Sequence, residues 1–390
     1  MSKLEELIQQ YCPDGVEFVK IRQIAQVGTG SSNGNEADED GAFPFFVRSQ
    51  IVKRKNDYEY DEEAIIIPGE GGIGDIFHYI NGKYALHQRV YRIHFITSSV
   101  NTKFAFYYLK SAFKQFILMK AVSATVVSIR KPMIEDFSIP VPPLPVQEEI
   151  VRILDTFTEL QAELQAELQK RKQQYEYYRD KLLSFSDLGN WGGQNVSVEW
   201  KKLEDIAQVY DGVHQTPNYT TSGIPFISVE NIGNIYGSNK YISIQDFNSY
   251  KVKPQVGDLF MTRIGSIGVC AVFDKEADIA YYVSLALIRP NADIISTRYL
   301  KHIIESRIGR RELNKRTIHT AVPIKINKND IGKISLPIPP IEEQKRIADI
   351  LDRFDTLTTD ITAGLPAEIE ARRKQYEYYR DRLLTFKQKA

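Results

Sequence analysis

The residues of this chain that could carry chemistry are few, and none completes a catalytic spacing. Gly69-Glu70-Gly71-Gly72-Ile73-Gly74 has the glycine spacing of a dinucleotide-binding loop and follows an apolar run. Such a loop must open a helix whose N-terminus holds the pyrophosphate. Here Asp75-Ile76-Phe77-His78-Tyr79-Ile80 follows and reads as a strand, so a hairpin or barrel turn is expected. The second half keeps only Gly265 and Gly268 of this pattern. No Gly-x4-Gly-Lys-Ser/Thr phosphate loop occurs. The Pro-Pro pairs follow Val141 and Ile338, not the Asn or Asp of a methyltransferase motif. Glu199-Trp200-Lys201 has a nuclease-like Glu-x-Lys spacing, but Glu17-Phe18-Val19 lacks the lysine. His78, His87, His94, His214, His302 and His319 show no metal-ligand spacing, and Cys12 and Cys270 stand too far apart for a zinc site. The expectation is a chain with no active site, no metal and no cofactor of its own.

Binding chemistry is better supplied. Arg307-Ile308-Gly309-Arg310-Arg311-Glu312-Leu313-Asn314-Lys315-Arg316-Thr317-Ile318-His319 gathers cations at the end of a short helix. The first half has Lys103, Lys110, Lys114 and Lys120, then Arg130-Lys131, at equivalent places. Such clusters suit phosphate contact. Loops after the early strands carry Arg48-Ser49-Gln50 with Lys53-Arg54-Lys55, and His214-Gln215-Thr216 with Asn218. Arg matches guanine edges and Asn or Gln matches adenine edges in a major groove. The candidate contacts to a duplex are Arg48, Ser49, Gln50, Lys53, Arg54, Lys120 and Arg130 in the first half. In the second half they are His214, Gln215, Thr216, Asn218, Asn231, Arg263, Arg310, Arg311, Lys315, Arg316 and His319.

The elements that must position these residues are written twice. Ile24-Ala25-Gln26-Val27 returns as Ile206-Ala207-Gln208-Val209, and Pro44-Phe45-Phe46 as Pro225-Phe226-Ile227. The glycine turn returns, and Ile139-Pro140-Val141-Pro142-Pro143-Leu144 returns as Leu336-Pro337-Ile338-Pro339-Pro340-Ile341. Tyr175-Glu176-Tyr177-Tyr178-Arg179-Asp180 returns as Tyr376-Glu377-Tyr378-Tyr379-Arg380-Asp381. The matches keep their order, which identifies a duplication. Each half opens with short apolar strands, such as Glu63-Ala64-Ile65-Ile66-Ile67 and Gly257-Asp258-Leu259-Phe260-Met261. A short helix follows, around 102–120 and 297–316. A proline turn and a long helix close each half, about 146–185 and 342–388.

Both long helices carry apolar residues at alternating steps of three and four, the seam of a coiled coil with four-residue stutters. The expected core positions are Ile153, Phe157, Leu160, Leu164, Leu168, Tyr175 and Tyr178 in the first helix. In the second they are Ile350, Phe354, Leu357, Ile361, Tyr376, Tyr379 and Leu383. A stripe of that length needs a partner. The shared spacing makes each helix the other's mate, and the intervening globular segment favours antiparallel pairing. Gly364 and Pro366 are expected to kink or break the second helix. The fold class is α+β: two similar β-rich domains with short helices, separated by two long helices that pair as an antiparallel intramolecular coiled coil, with a pseudo-two-fold internal repeat. The expected segments are a first domain at 1–144, the central helix at 145–186, a linker at 187–198, a second domain at 199–340 and a C-terminal helix at 341–390.

Lys+Arg and Asp+Glu number 50 each, so the net charge is zero. That argues against coating nucleic acid by bulk charge and leaves local patches as the means of reading it. No apolar run approaches a membrane span, and MSKLEELIQQ is too charged for a signal peptide, so a cytoplasmic protein is expected. A 40-residue helix is about 60 Å long. Two diverged readers on such a rod could read two different short sequences with an unread spacer between them.

Over essentially its whole length the chain resembles the specificity (S) subunit of type I restriction-modification systems. The resemblance rests on the two domains, the repeated Pro-Pro-[Leu/Ile]-x-x-Gln at residues 142–147 and 339–344, and the repeated Tyr-Glu-Tyr-Tyr-Arg-Asp-[Lys/Arg]-Leu-Leu. It implies that each domain is a target recognition domain reading half of a bipartite, asymmetric site in double-stranded DNA. It implies that the helices are conserved spacers docking two methyltransferase (M) subunits, which restriction (R) subunits join. S-adenosylmethionine, magnesium and ATP then belong to those partners, and this chain is a non-catalytic specificity subunit. Thr158-Glu159-Leu160-Gln161, Ala162-Glu163-Leu164-Gln165 and Ala166-Glu167-Leu168-Gln169 resemble the four-residue unit that the family varies in this helix. The alternatives are a specificity subunit of a fused restriction-methylation enzyme cutting outside its site, and a coiled-coil protein scaffold that does not bind DNA.

Overall fold

The computed structural model of the chain describes residues 3–72, 74–120, 128–185, 197–359 and 364–389. It divides into two units, Met1–Gln165 with Ile369–Ala390, and Ala166–Glu368. Each holds one domain together with the parts of the long helices that pack on it. The expected linker falls almost wholly outside the described residues.

In the first unit, six strands form one sheet among the described residues, in the order Ala25–Thr29, Val90–Phe95, Tyr60–Pro68, His78–Leu86, Phe43–Phe46, Lys53–Lys55. All neighbours are antiparallel except Phe43–Phe46 against His78–Leu86. The helix Thr102–Lys120 lies on this sheet. Its Ala105, Leu109, Phe113 and Ile117 recur every four residues and are buried against Ile65, Ile67, Phe77 and Ile93. Phe104 and Tyr107, on its other face, pack on Val146, Ile150 and Leu154 of the central helix, Leu144–Ser184. Leu4, Val16 and Leu384 join that cluster. The Val16 N–H donates to the Lys387 carbonyl and the Lys389 N–H to the Val16 carbonyl, each at 2.9 Å, so the two ends of the chain meet in this unit.

The second unit repeats the plan with its sheet divided. Ala207–Asp211, Leu285–Pro290, Leu259–Thr262 and Cys270–Val272 form one sheet. Tyr241–Ile242, Ile224–Ile227 and Ala280–Tyr281 form another. The expected helix at 297–316 is two helices, Thr297–Glu305 and Arg307–Asn314, parted at Ser306. Tyr299, Leu300, Ile303 and Ile304 pack between Leu259, Met261 and Ile288 of the sheet and Ile347 and Leu351 of the helix Ile341–Thr359.

The repeated Pro-Pro-x-x-x-Gln has a physical reason in both units. Gln147 is fully buried; its amide nitrogen donates to the Ser99 and Pro142 carbonyls, and its oxygen accepts from the Asn101 N–H. Gln344 is fully buried and does the same with Ile294, Pro339 and the Ser296 N–H. One side chain thus ties the start of each long helix to the start of the shorter helix beside it.

The long helices pair in antiparallel order. In the first unit Phe157 stacks on Tyr379 at 5.6 Å and meets Tyr376 edge-on at 6.3 Å, while Ile150 and Leu154 share a cluster with Leu383 and Leu384. In the second unit Tyr178 stacks on Phe354 at 6.1 Å, and Leu182 and Leu183 share a cluster with Ile347 and Leu351. The second long helix is two helices, Ile341–Thr359 and Leu365–Leu383, on either side of the expected break; Ile361 lies outside the described residues. Two expectations need correction. Leu357 is 55% exposed and Tyr379 37% exposed, so neither is a buried core position. Leu154 and Leu351 are fully buried and Leu384 is 4% exposed, each one place from an expected seam position (Ile153, Ile350, Leu383). Near its outer ends each helix packs on a globular domain as well as on the other helix, and the buried face turns to meet both. Ile153, Leu160, Leu164 and Ile350 are half-buried, while Leu168 and Tyr175 are buried.

Candidate nucleic-acid interface

In the second unit a turn, a helix and a loop converge. The turn after Leu259–Thr262 needs glycine at Gly265 (φ 79°) and Gly268 (φ 87°). A Cβ on Gly268 would also come within 2.7 Å of Leu313 in the helix Arg307–Asn314. That helix is capped twice: the Ser306 hydroxyl accepts from the Gly309 N–H at 3.4 Å, and Asp180 of the repeated Tyr-Tyr-Arg-Asp accepts from the Arg307 N–H at 3.0 Å. Glu312 and Leu313 face inward, while Arg307, Arg310 and Arg311 face out. Loop 318–325 is closed by the Ile318 N–H donating to the Lys325 carbonyl at 2.7 Å. It is pinned to the glycine turn by the Gly265 N–H donating to the Ile324 carbonyl at 2.9 Å. Between helix and loop lies a concavity of about 870 Å³, lined among others by Arg307, Arg310, Arg311, His319 and Ile324.

The cations predicted here divide into two kinds. Arg310 and Arg311 are exposed and have no ion pair among the described residues. Lys315 and Arg316 are bonded to Glu312 at 2.5 and 2.9 Å. Burial opposes ionisation of Glu312, yet Lys315, the Ser335 N–H and Arg316 hold its carboxyl below the usual range. The His319 ring bonds the Asn314 carbonyl at 3.2 Å. His214, Gln215, Thr216 and Asn218 lie exposed on one loop after Ala207–Asp211, with His214 3.8 Å from Asp211. Two predicted contacts are structural instead. Arg263 is only 7% exposed, ion-paired with Asp211, and donates to the Ile326 carbonyl at 3.1 Å. It therefore ties a strand end to a neighbouring segment within the domain. The Asn231 side chain accepts from the Ser228 N–H at 3.1 Å and so caps its own 3-10 turn.

The first unit is built differently at the corresponding places. Its glycine turn, Gly71 (φ 82°), Gly72 (φ 127°) and Gly74 (φ 70°), connects Tyr60–Pro68 to His78–Leu86. This is a strand connection, as expected, and no helix begins there among the described residues. The turn presents Glu70, which bonds Arg48 at 2.8 Å and Arg89 at 3.1 Å; these guanidiniums hold its carboxyl below the usual range. Arg48, Ser49, Lys53, Glu70 and His87 line a concavity of about 360 Å³. Burial, and then Arg48 and Arg89, push the His87 pKa down, and its Nδ1 accepts from the Arg89 N–H at 3.0 Å. Gln50 and Lys53 are exposed. Ser49 Oγ accepts from the Ile51 N–H at 3.0 Å. Arg54 is committed to the Gly41 and Ala42 carbonyls at 2.5 and 2.8 Å, which leaves little of its donor fork for a base. Arg130 is exposed, and the Lys120 side chain lies outside the described residues. Lys103 and Lys114 are paired with Asp155 and Asp75, at 2.7 and 2.6 Å, so these two helix cations differ from Arg310 and Arg311 in the other half.

Sequence reasoning missed Glu70, His87, Arg89 and Lys325 as members of these surfaces. The signal for Glu70 was its place inside a glycine turn beside basic loops. Among the described residues no group of His, Cys, Asp and Glu could hold a metal ion, and no helix is long and apolar enough to cross a membrane. Cys12 and Cys270 are buried free thiols.

The family described as type I restriction modification DNA specificity domain matches residues 13–171 and 195–371. A putative type I restriction enzyme specificity subunit of Haemophilus influenzae is 32% identical over 391 residues, 95% of this chain and 96% of that protein. The type I restriction enzyme EcoR124I/EcoR124II specificity subunit of Escherichia coli is 37% identical over 254 residues, which cover 62% of this chain and 60% of that protein. In fold, the chain is similar to the S subunit of a type I restriction-modification system from M. genitalium, with a TM-score of 0.59 and 14% identity over 95% of this chain and 96% of that one. A chain from a structural study of type I R-M complex assembly and conformational transition aligns with a TM-score of 0.58 and 15% identity, over 95% of this chain and 98% of that one.

Proposed function

We propose a division of labour for this chain, which belongs to the type I restriction-modification DNA specificity family. Each domain reads one half of a bipartite, asymmetric site in double-stranded DNA. The paired helices set the unread spacer and dock two methyltransferase subunits, to which restriction subunits add. Adenine methylation with S-adenosylmethionine, and the magnesium- and ATP-dependent steps, belong to those partners.

The observation that carries this reading is a repeated frame bearing unlike surfaces. Gln147 and Gln344 make the same three hydrogen bonds at the same joint of each half. The concavities beside those frames differ: Arg48 paired with Glu70 in one, and Arg310 and Arg311, without an ion pair among the described residues, in the other. A common frame with unlike reading surfaces suits one partner used twice and two different half-sites. Neither alternative reading is favoured, because the family match runs through both domains.

The test is removal of residues 162–165, one four-residue unit of the central helix. One unit supplies about 6 Å of rise and roughly 400° of turn, close to a full turn. At ~1.7 Å per duplex charge, or 3.4 Å per base pair, that rise is worth about two base pairs. Genome-wide mapping of methylated adenines should show a spacer about two base pairs shorter with both half-sites unchanged. Changed half-sites over an unchanged spacer would sink the reading.

A further inference from the structure

We propose that loop 318–325 reads a thymine in the half-site of the second domain through that base's 5-methyl group, with Val322 as the contacting side chain. This rests on the DNA-reading function above and names one feature that the second domain recognises.

Val322 is 99% exposed, the most exposed large hydrophobic side chain among the described residues. Pro323 and Ile324 beside it are also exposed, so the tip of the loop is an apolar run in water. The loop is not loosely tethered. Its base is closed by the hydrogen bond between Ile318 and Lys325, and the Gly265 N–H anchors Ile324 to the glycine turn. The frame around the tip is cationic. Ile324 and His319 line the same concavity as Arg307, Arg310 and Arg311, and Lys325 stands at the foot of the loop.

The two properties together select the occupant. The free arginines call for a polyanion. An aliphatic tip has no donor or acceptor, so it gains nothing from a phosphate or from the polar edge of a base. It gains from apolar surface that it removes from water. Among the groups that a duplex displays in its major groove, the thymine 5-methyl is the apolar one. Val322, at the tip of a loop whose His319 and Ile324 line the concavity with Arg307, Arg310 and Arg311, is therefore placed to discriminate T·A from C·G by contact with that methyl, while the arginines hold the backbone.

The experiment uses the complex of this chain with its methyltransferase subunits and a duplex carrying the mapped site. Each thymine in the second domain's half-site is replaced in turn by deoxyuridine, which removes only the methyl, and affinity is read by fluorescence anisotropy. One replacement should weaken binding about fourfold, the worth of roughly one buried methyl. With Val322→Gly, thymine and deoxyuridine at that position should bind alike, while replacements in the other half-site keep their effect. Arg310→Ala with Arg311→Ala should weaken binding to both duplexes equally. The proposal is overturned if no thymine methyl matters, or if Val322→Gly keeps the full thymine preference. It is also overturned if Val322→Gly instead lowers the fluorescence of a 2-aminopurine at an unstacked step, because the tip is then a wedge. A complex that binds every duplex equally would overturn the DNA-specificity reading itself, whereas specific binding indifferent to all thymine methyls would overturn this inference alone.

Discussion

The first domain runs its sheet unbroken, and the second divides the same sheet in two. The strand His78–Leu86 pairs antiparallel with Tyr60–Pro68 and parallel with Phe43–Phe46. Its counterpart is split into Cys270–Val272 and Ala280–Tyr281. The intervening Phe273-Asp274-Lys275-Glu276-Ala277-Asp278-Ile279 is charged and poor in strand formers, so it leaves the ladder. Beneath this difference the joints to the long helices agree closely. Lys103 and Tyr107 bond Asp155; Arg298 and His302 bond Asp352 from the corresponding helix positions. The comparison teaches that the duplicated chain is held constant where it meets the helices and is free to diverge where it faces outward.

The shared joint predicts the largest effect. Gln147→Leu and Gln344→Leu each leave two carbonyls and one N–H without their buried partner. Each should lower the stability of its own unit by about 3 kcal/mol. Urea denaturation with hydrogen exchange resolved by unit checks this. Similar losses in both units sharpen the comparison; a loss in one unit only would break it.

The unlike surfaces predict a smaller, asymmetric effect on DNA binding. Arg310 and Arg311 are exposed and have no ion pair among the described residues, so replacing both with Ala should lower the slope of log affinity against log salt by about 2. Arg48 already holds Glu70, so Arg48→Ala with Lys53→Ala should lower that slope by about 1. Equal slopes for the two double variants would mean that the first domain's cations are as available as the second's.

A third effect separates the units by pH. Glu149 is bonded by Arg152 at 2.7 Å and by Lys3 at 2.8 Å, and its carboxyl is held down at about 2, against 4.5 for a free glutamate, by Arg152 first and Lys3 after it. Its folded value lies below the unfolded one. The stability it supplies is therefore present above pH ~4.5 and fades as pH falls toward 2. Both cationic partners are largely exposed, so about 1 kcal/mol is expected after screening. The corresponding place in the second half is Arg346, so this acid sensitivity belongs to the first unit. Glu149→Gln should remove it, read as a flattened stability profile between pH 5 and pH 3.

Much of this architecture was legible because repetition exposes itself: the Pro-Pro-x-x-x-Gln joint and the Tyr-Glu-Tyr-Tyr-Arg-Asp ends survive in both halves. The period of three and four pointed to the helix pair, and the repeated glycine spacing to the turns. The reading surfaces were less legible. An arginine's letter does not reveal whether it meets water, as Arg310 does, an internal carboxylate, as Arg263 does, or a backbone carbonyl, as Arg54 does. Those fates depend on partners far along the chain, such as Asp211 and Gly41. The helix pair was misjudged in the same way. A seam read from spacing assumes that the other helix is the whole environment, and here the globular domains supply part of it.

That last point gives the smallest and sharpest test. If the seam alone held the helices together, Leu357 would be a core leucine, and Leu357→Gln would cost several kcal/mol, because it would bury an amide without a hydrogen-bond partner. It stands instead 55% exposed in the last described turns of Ile341–Thr359, past Phe354, whose ring stacks on Tyr178. The contacts that fix this helix are earlier, at Ile347 and Leu351 against the domain core. Leu357→Gln should therefore change stability by no more than about 0.5 kcal/mol, as for other exposed positions. A loss above 2 kcal/mol would show that the helices are held by their mutual seam and that the domains only decorate it.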